Sequence, residues 1–158
     1  VCGRMNPGST PKLRSGAKPG DEVWVTGPLG GSFESGHHLM FEPKLDIGQR
    51  ASACDKVHAM MDISDGLGRD AGRLARASGV LIEIDASKIP ANAGVASWRE
   101  AASDGEDYEL LIVGQNLGDQ LPGLIGPIGR CAESGTPGVV VIDDAGARHD
   151  ASELGWDH

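Results

Sequence analysis

Hydrophobic and polar positions change period several times along the chain. Glu22-Val23-Trp24-Val25-Thr26 alternates and predicts a strand, opened by the turn Pro19-Gly20-Asp21 and stopped by Gly27-Pro28-Leu29-Gly30-Gly31-Ser32. Residues 46–55 are read as a short helix, and Val57-His58-Ala59-Met60-Met61-Asp62-Ile63 as a buried strand. From 67 to 77 the period is helical: Leu67, Ala71, Leu74 and Ala75 share one face, and Gly79 ends the helix as its left-handed residue. A strand at 80–84, stopping before Asp85, leads through Ile89-Pro90 to a predicted helix at 92–102. Further strands are predicted at 108–113, at 124–130 (broken by glycines) and at 139–142, with Asp144-Ala145-Gly146 as a hairpin turn. Residues 6–21 form an irregular lead-in rich in Pro, Gly, Ser and Lys. His37 and His38, taken as extended, point to opposite faces and suit the surface better than a metal pair. Strands and helices mix without repeat or regular alternation, so the expected class is α+β, a mixed sheet with covering helices.

Composition narrows the functions. A chain of 158 residues with 39% hydrophobic content suits one globular domain. No apolar run nears the roughly 20 residues of a membrane span, and no basic, apolar leader marks a signal peptide. The formal charge of −9 disfavours binding to a phosphate backbone, and 4% aromatic content leaves little for stacking on single strands. Cys2, Cys54 and Cys131 are odd in number and form no CxxC pair, which argues against a zinc site or disulfide framework and for reduced thiols in the cytoplasm. The first residue is Val, so the chain is expected to be cut from something longer.

Two acidic segments carry the candidate chemistry: Met61-Asp62-Ile63-Ser64-Asp65-Gly66-Leu67 and Gly105-Glu106-Asp107-Tyr108-Glu109-Leu110. Neighbouring carboxylates repel unless a cation joins them, and Mg²⁺ commonly brings phosphate. In the first segment a strand hands over to a helix. Asp62 and Asp65 then hold Mg²⁺, with Ser64 and the helix end on phosphate oxygens, or else Ser64 or Asp65 is only the helix N-cap. In the second, Glu106 and Asp107 occupy a turn from which side chains reach a ligand, or the segment is simply a charged turn begun by Gly105. The glycine-rich turn at 27–32 is either a loose phosphate loop or a strand-to-helix connection, since no Gly-Lys-Ser/Thr follows.

On these residues the chain resembles the C-terminal domain of the thiamine-monophosphate kinase family, within the aminoimidazole ribonucleotide synthetase-like proteins. The resemblance runs through Leu13-Arg14-Ser15-Gly16-Ala17-Lys18-Pro19-Gly20-Asp21, Val25-Thr26-Gly27-Pro28-Leu29-Gly30, Asp62-Ile63-Ser64-Asp65-Gly66-Leu67, Ser78-Gly79-Val80, Gly105-Glu106-Asp107-Tyr108-Glu109-Leu110 and the closing Gly155-Trp156-Asp157-His158. It implies a three-layer α/β/α domain and a cytoplasmic enzyme of thiamine diphosphate biosynthesis. The reaction implied is transfer of the ATP γ-phosphoryl group to thiamine monophosphate, with Mg²⁺ as cofactor. Carried over residue by residue, Asp62 and Asp65 are the metal ligands and catalytic residues, Ser64 contacts ATP, and Glu106 and Trp156 bind substrate. Nucleic acid and membrane are not among the implied partners.

The resemblance also implies an N-terminal metal- and nucleotide-binding domain that this chain does not match. Residues 1–21 would then be an interdomain strand (Val1-Cys2-Gly3) and lead-in, and 22–158 the core. The parent protein is expected to be a homodimer, and the single domain inactive on its own. The chain departs from the family at Asp104, where a glycine is usual, at Lys44, where Arg is common, and after His158, where an aromatic residue often follows. A sister ATP-dependent enzyme (selenophosphate synthetase, hydrogenase maturation factor or aminoimidazole ribonucleotide synthetase) and a non-catalytic ligand-binding domain are the alternatives.

Overall fold

The computed structural model describes residues 10–157. In chain order the elements are β1 (Glu22–Val25), α1 (Ser32–Ser35), α2 (His37–Met40), α3 (Leu45–Ala53), β2 (Val57–Ile63), α4 (Leu67–Ser78), β3 (Leu81–Asp85), a 3-10 turn at Ala86–Lys88, α5 (Trp98–Ser103), β4 (Glu109–Gly114), α6 (Leu117–Gln120), β5 (Ile125–Ala132), β6 (Gly138–Ile142) and β7 (Arg148–Asp150). The strands form one sheet in the order β2-β4-β1-β5-β3-β6-β7. Every pairing is antiparallel except β3 with β6, so the sheet is mixed.

Alternating side chains of β1 enter two cores, one on each face of the sheet. Val23 and Val25 pack with Leu67, Ala71 and Leu74 of α4 and Ala101 and Ala102 of α5. Trp24 turns to the other face and joins Ile112 with Ala51 of α3 and Leu117 of α6. Burial on both faces makes three layers, α4 and α5 over the sheet over α3 and α6. Each fully buried Leu or Ile contributes about 1.5–3 kcal/mol, so these two faces carry most of the driving force. The expected α+β fold and its layering are both present.

Several local expectations give way to tertiary context. The strand at 57–63 is not buried throughout: β2 is an edge strand with Val57, Ala59 and Ile63 buried and Asp62 exposed. A register shift between Val57 and Ala59 puts Val57 and Met60 against one core and Ala59, Met61 and Ile63 against the other. This two-sided demand accounts for the consecutive apolar residues Ala59-Met60-Met61. His37 and His38 begin the short helix α2 rather than an extended segment. The helix expected over 92–102 starts only at Trp98. There Ser97 Oγ accepts from Glu100 N–H at 3.2 Å and Glu100 Oε2 accepts from Ala96 N–H at 2.7 Å, a reciprocal cap that fixes the boundary. β3 runs one residue further than expected because Asp85 still pairs with Ile142. The expected interdomain strand at Val1-Cys2-Gly3, and His158, lie outside the described residues.

Candidate functional site

The two acidic segments meet at one corner of the sheet. β2 and β4 are paired, with Asp62 opposite Leu110 and Ile63 opposite Glu109. The loop before β4 is then laced onto the end of β2: Glu106 N–H donates to Ser64 C=O at 2.7 Å and Tyr108 N–H donates to Ile63 C=O at 2.9 Å. The C-terminal segment closes the same corner, with Trp156 N–H donating to Asp65 C=O at 2.9 Å. The main chain at Asp65 thus receives Trp156, and that at Ser64 receives Glu106. Gly105 permits the close approach. A Cβ there would meet Ser64 O at 2.8 Å and Trp156 Cδ1 at 2.9 Å.

Neither Ser64 nor Asp65 is the N-cap of α4. That position is Gly66, at φ 106°, without a side-chain cap. The capping runs backwards: Asp70, fully buried in the first turn of α4, accepts from Ser64 N–H at 2.9 Å and Asp65 N–H at 2.8 Å. Burial raises the Asp70 pKa, against the two backbone donors and the Arg73 charge that lower it. Arg73 bonds both Asp65 and Asp70, and the Asp65 carboxylate raises the guanidinium pKa further. Asp62 is exposed at the end of β2. Arg73 and Asp70 have no counterpart in the sequence reading, although Asp70 sits at a position where a helix favours an acid.

The second segment divides its acids between structure and surface. Asp107, expected to reach a ligand from a turn, is 1% exposed. Its carboxylate accepts from Gly30 N–H at 3.0 and 3.1 Å and from Ser32 Oγ–H at 2.5 Å. Burial pushes its pKa up to about 6, against the pull of those donors and with Asp104 and Glu109 as repelling neighbours. Asp104 accepts from Gly31 N–H at 2.8 Å. The glycine-rich turn is therefore an anion cradle filled by the protein's own carboxylates, which favours the strand-to-helix reading over the phosphate loop. Asp104 has φ −67°, so the position where a glycine is usual needs no left-handed backbone. Lys44 pairs with Glu109 at 3.0 Å.

Glu106 stays partly exposed and accepts from Tyr108 Oη–H at 2.9 Å. Glu106, Asp62 and Asp65 all raise the Tyr108 pKa, the bonded Glu106 most. Glu106 and Tyr108 have φ of 67° and 53°. Left-handed backbone at two ordinary residues costs on the order of 1–3 kcal/mol each and gathers where geometry serves a site. A cavity of ≈ 390 Å³ opens here, lined by Phe33, Ser64, Glu106, Trp156 and Asp157. Ser64, Glu106 and Trp156, separated widely in sequence, are brought together, whereas Asp62 and Asp65 are not among the lining residues and are linked to the corner through their charges on Tyr108. Among the described residues no group of three or more His, Cys, Asp or Glu side chains converges as a metal-binding set. Nor is any helix there long and apolar enough to cross a membrane.

The chain belongs to the AIR synthase related protein, C-terminal domain, family, whose model matches residues 18–146. Within that family it is similar to thiamine-monophosphate kinases. The one from Pyrococcus horikoshii is 33% identical over an alignment covering 99% of this chain and 56% of the relative. That from Rhodopirellula baltica is 37% identical over 64% of this chain and 34% of its own length. The chain therefore spans about half, or less, of the curated relatives it matches. Among solved structures, AaThiL complexed with AMPPCP and TMP superposes at a TM-score of 0.71 with 31% identity, covering 92% of this chain and 53% of that one. The hydrogenase maturation protein HypE, at TM-score 0.68 and 14% identity, shares the fold.

Proposed function

We propose that this chain is the C-terminal half of a thiamine-monophosphate kinase, which transfers the γ-phosphoryl group of ATP to thiamine monophosphate. One observation carries the reading: three separate segments, at 64–65, 105–108 and 156, are tied by main-chain hydrogen bonds around a single cavity. The relatives are kinases of this name, and AaThiL was solved with AMPPCP and TMP.

In this reading the chain's own groups position and neutralise. Trp156 offers an aromatic face and Glu106 a carboxylate, which together suit a flat cationic heterocycle. The Glu106 carboxylate is held by Tyr108, so it is aimed before ligand arrives. Ser64 Oγ is the contact for ATP. Phosphoryl transfer asks little of a protein beyond alignment and charge compensation. Asp62 and Asp65 are the groups for Mg²⁺. The donor chemistry fits, since Mg²⁺ prefers oxygen ligands and often takes only one or two carboxylates with substrate phosphates. When bound, the ion offsets phosphate charge. Asp62 is exposed for that purpose, whereas Asp65 shares its carboxylate with Arg73. Two acids make a partial set, and the half of the kinase not spanned here supplies the remainder and, in this reading, the homodimer contact.

The test uses the protein at the length of its relatives. Asp62→Asn is expected to lower thiamine diphosphate formation at least 100-fold while leaving the unfolding midpoint unchanged. An unchanged rate removes Asp62 from the mechanism. No product from the unsubstituted protein rejects the reading.

A further inference from the structure

Phe33 is an exposed apolar residue whose ring is nevertheless held. It is 66% exposed in the short helix α1. The ring of His38 stacks on it with centroids 5.0 Å apart and planes 15° apart. His38 is itself anchored, its Nδ1–H donating to Ser32 C=O at 3.0 Å. Ser32 is fully buried on Asp107. An exposed phenylalanine gains little from folding, and the stack on His38 covers one face of this ring and leaves the other available to a ligand. The cavity it lines contains a second exposed ring, Trp156 at 55%, whose main chain is bonded to Asp65. Ser64 and two acids, Glu106 and Asp157, complete the lining.

We infer that Phe33 is a second aromatic wall of this cavity, and that with Trp156 it selects a planar cationic ring. The inference rests on the proposed kinase reading for the identity of that ring, and adds the residue that discriminates it. Ring faces carry negative potential and the Glu106 carboxylate adds to it, while Asp157 is already paired with Arg69 at 3.2 Å, so a flat organic cation satisfies stacking and charge together. A neutral ring gains only the stacking, and a compact cation only the charge. Phe33 is a binding residue here, and His38 positions it.

The experiment measures binding to the 158-residue protein by NMR, with thiamine and N-methylquinolinium as probes. Thiamine is expected to shift the Phe33 ring and the Trp156 Nε1–H resonances with one dissociation constant. Phe33→Ala, at an exposed position, is expected to weaken binding about fivefold to tenfold, and Phe33→Trp to restore it. Shifts at Trp156 with Phe33 silent, or equal affinity in Phe33→Ala, overturn the role of Phe33 and leave the kinase reading standing. Binding of N-methylquinolinium at both rings with none of thiamine upholds the aromatic slot and counts against thiamine as its occupant. Binding of neither cation overturns the slot, and the turnover assay above judges the kinase reading separately.

Discussion

Ser32 and Asp107 meet through an Oγ–H···Oδ1 hydrogen bond of 2.5 Å, buried and 75 positions apart in the chain. This contact, with the Gly30 N–H bonds to the same carboxylate, fastens the turn after β1 to the loop before β4. It lets Asp107 serve the architecture while Glu106, one residue earlier, faces the cavity.

The raised Asp107 pKa makes stability fall with rising pH. The group goes from 3.8 when unfolded to about 6 when folded, so the native state holds its proton more tightly. Its contribution is fully present below pH 3.8 and is lost as pH rises through 6. The shift corresponds to roughly 3 kcal/mol at most. Urea unfolding at pH 4 and pH 7 is expected to show the stability difference between the unsubstituted protein and Asp107→Asn shrinking or reversing by up to that amount. A constant difference across the two pH values contradicts it.

Lys44 and Glu109 form an ion pair in which only the lysine reaches water. Glu109 is 3% exposed, and its other oxygen accepts from Thr26 Oγ–H at 2.5 Å. Lys44→Met leaves that carboxylate buried without a cation and is expected to cost about 2–3 kcal/mol, at the low end for a buried pair because Lys44 is partly solvated. The double change Lys44→Met with Glu109→Met is expected to recover most of the loss. Chemical denaturation of all three proteins checks the cycle, and additive losses would refute it.

Gly105→Ala puts a methyl group against Ser64 O and Trp156 Cδ1, both closer than 3.0 Å. One contact is main chain and cannot rotate away. The expected outcome is a destabilisation of about 1–3 kcal/mol together with a change in the Trp156 indole NMR signal. An unmoved indole signal would mean that Trp156 does not lean on this loop.

Cys131 is buried, and burial together with the nearby Asp21 charge pushes its thiol up to about 12. Cys54 is only half-buried. Iodoacetamide followed by peptide mapping is expected to label Cys54 in the native protein and Cys131 only after unfolding. Labelling of Cys131 at a comparable rate contradicts this.

Much of the fold was legible because its signals are local. The α4 face of Leu67, Ala71, Leu74 and Ala75, the Gly79 stop and the turn between β6 and β7 each depend on neighbours a few residues away. The meeting of the acidic segments was suggested by acids standing at the sheet's edge in both and by their resemblance to a family, since no local period reports that β2 and β4 are adjacent. Asp107 was misjudged for the same reason: acids in turns usually face water, and its partners Gly30 and Ser32 lie far away in sequence. The short α5 was misjudged because nothing in the run Asn92-Ala93-Gly94-Val95-Ala96 displays the capping choice made by Ser97 and Glu100.

The strand order has a consequence for how the chain matures. β1 precedes the other six strands of this sheet in the chain yet lies inside it, and among the described strands it pairs with β4 and β5. Both of those emerge late, so the nascent polypeptide must carry Val23, Trp24 and Val25 without their neighbours until most of the sequence has left the ribosome. Such distant pairings slow assembly and leave apolar surface open to aggregation meanwhile. Synthesis in cells should therefore depend on chaperone supply more than the finished molecule's stability would suggest.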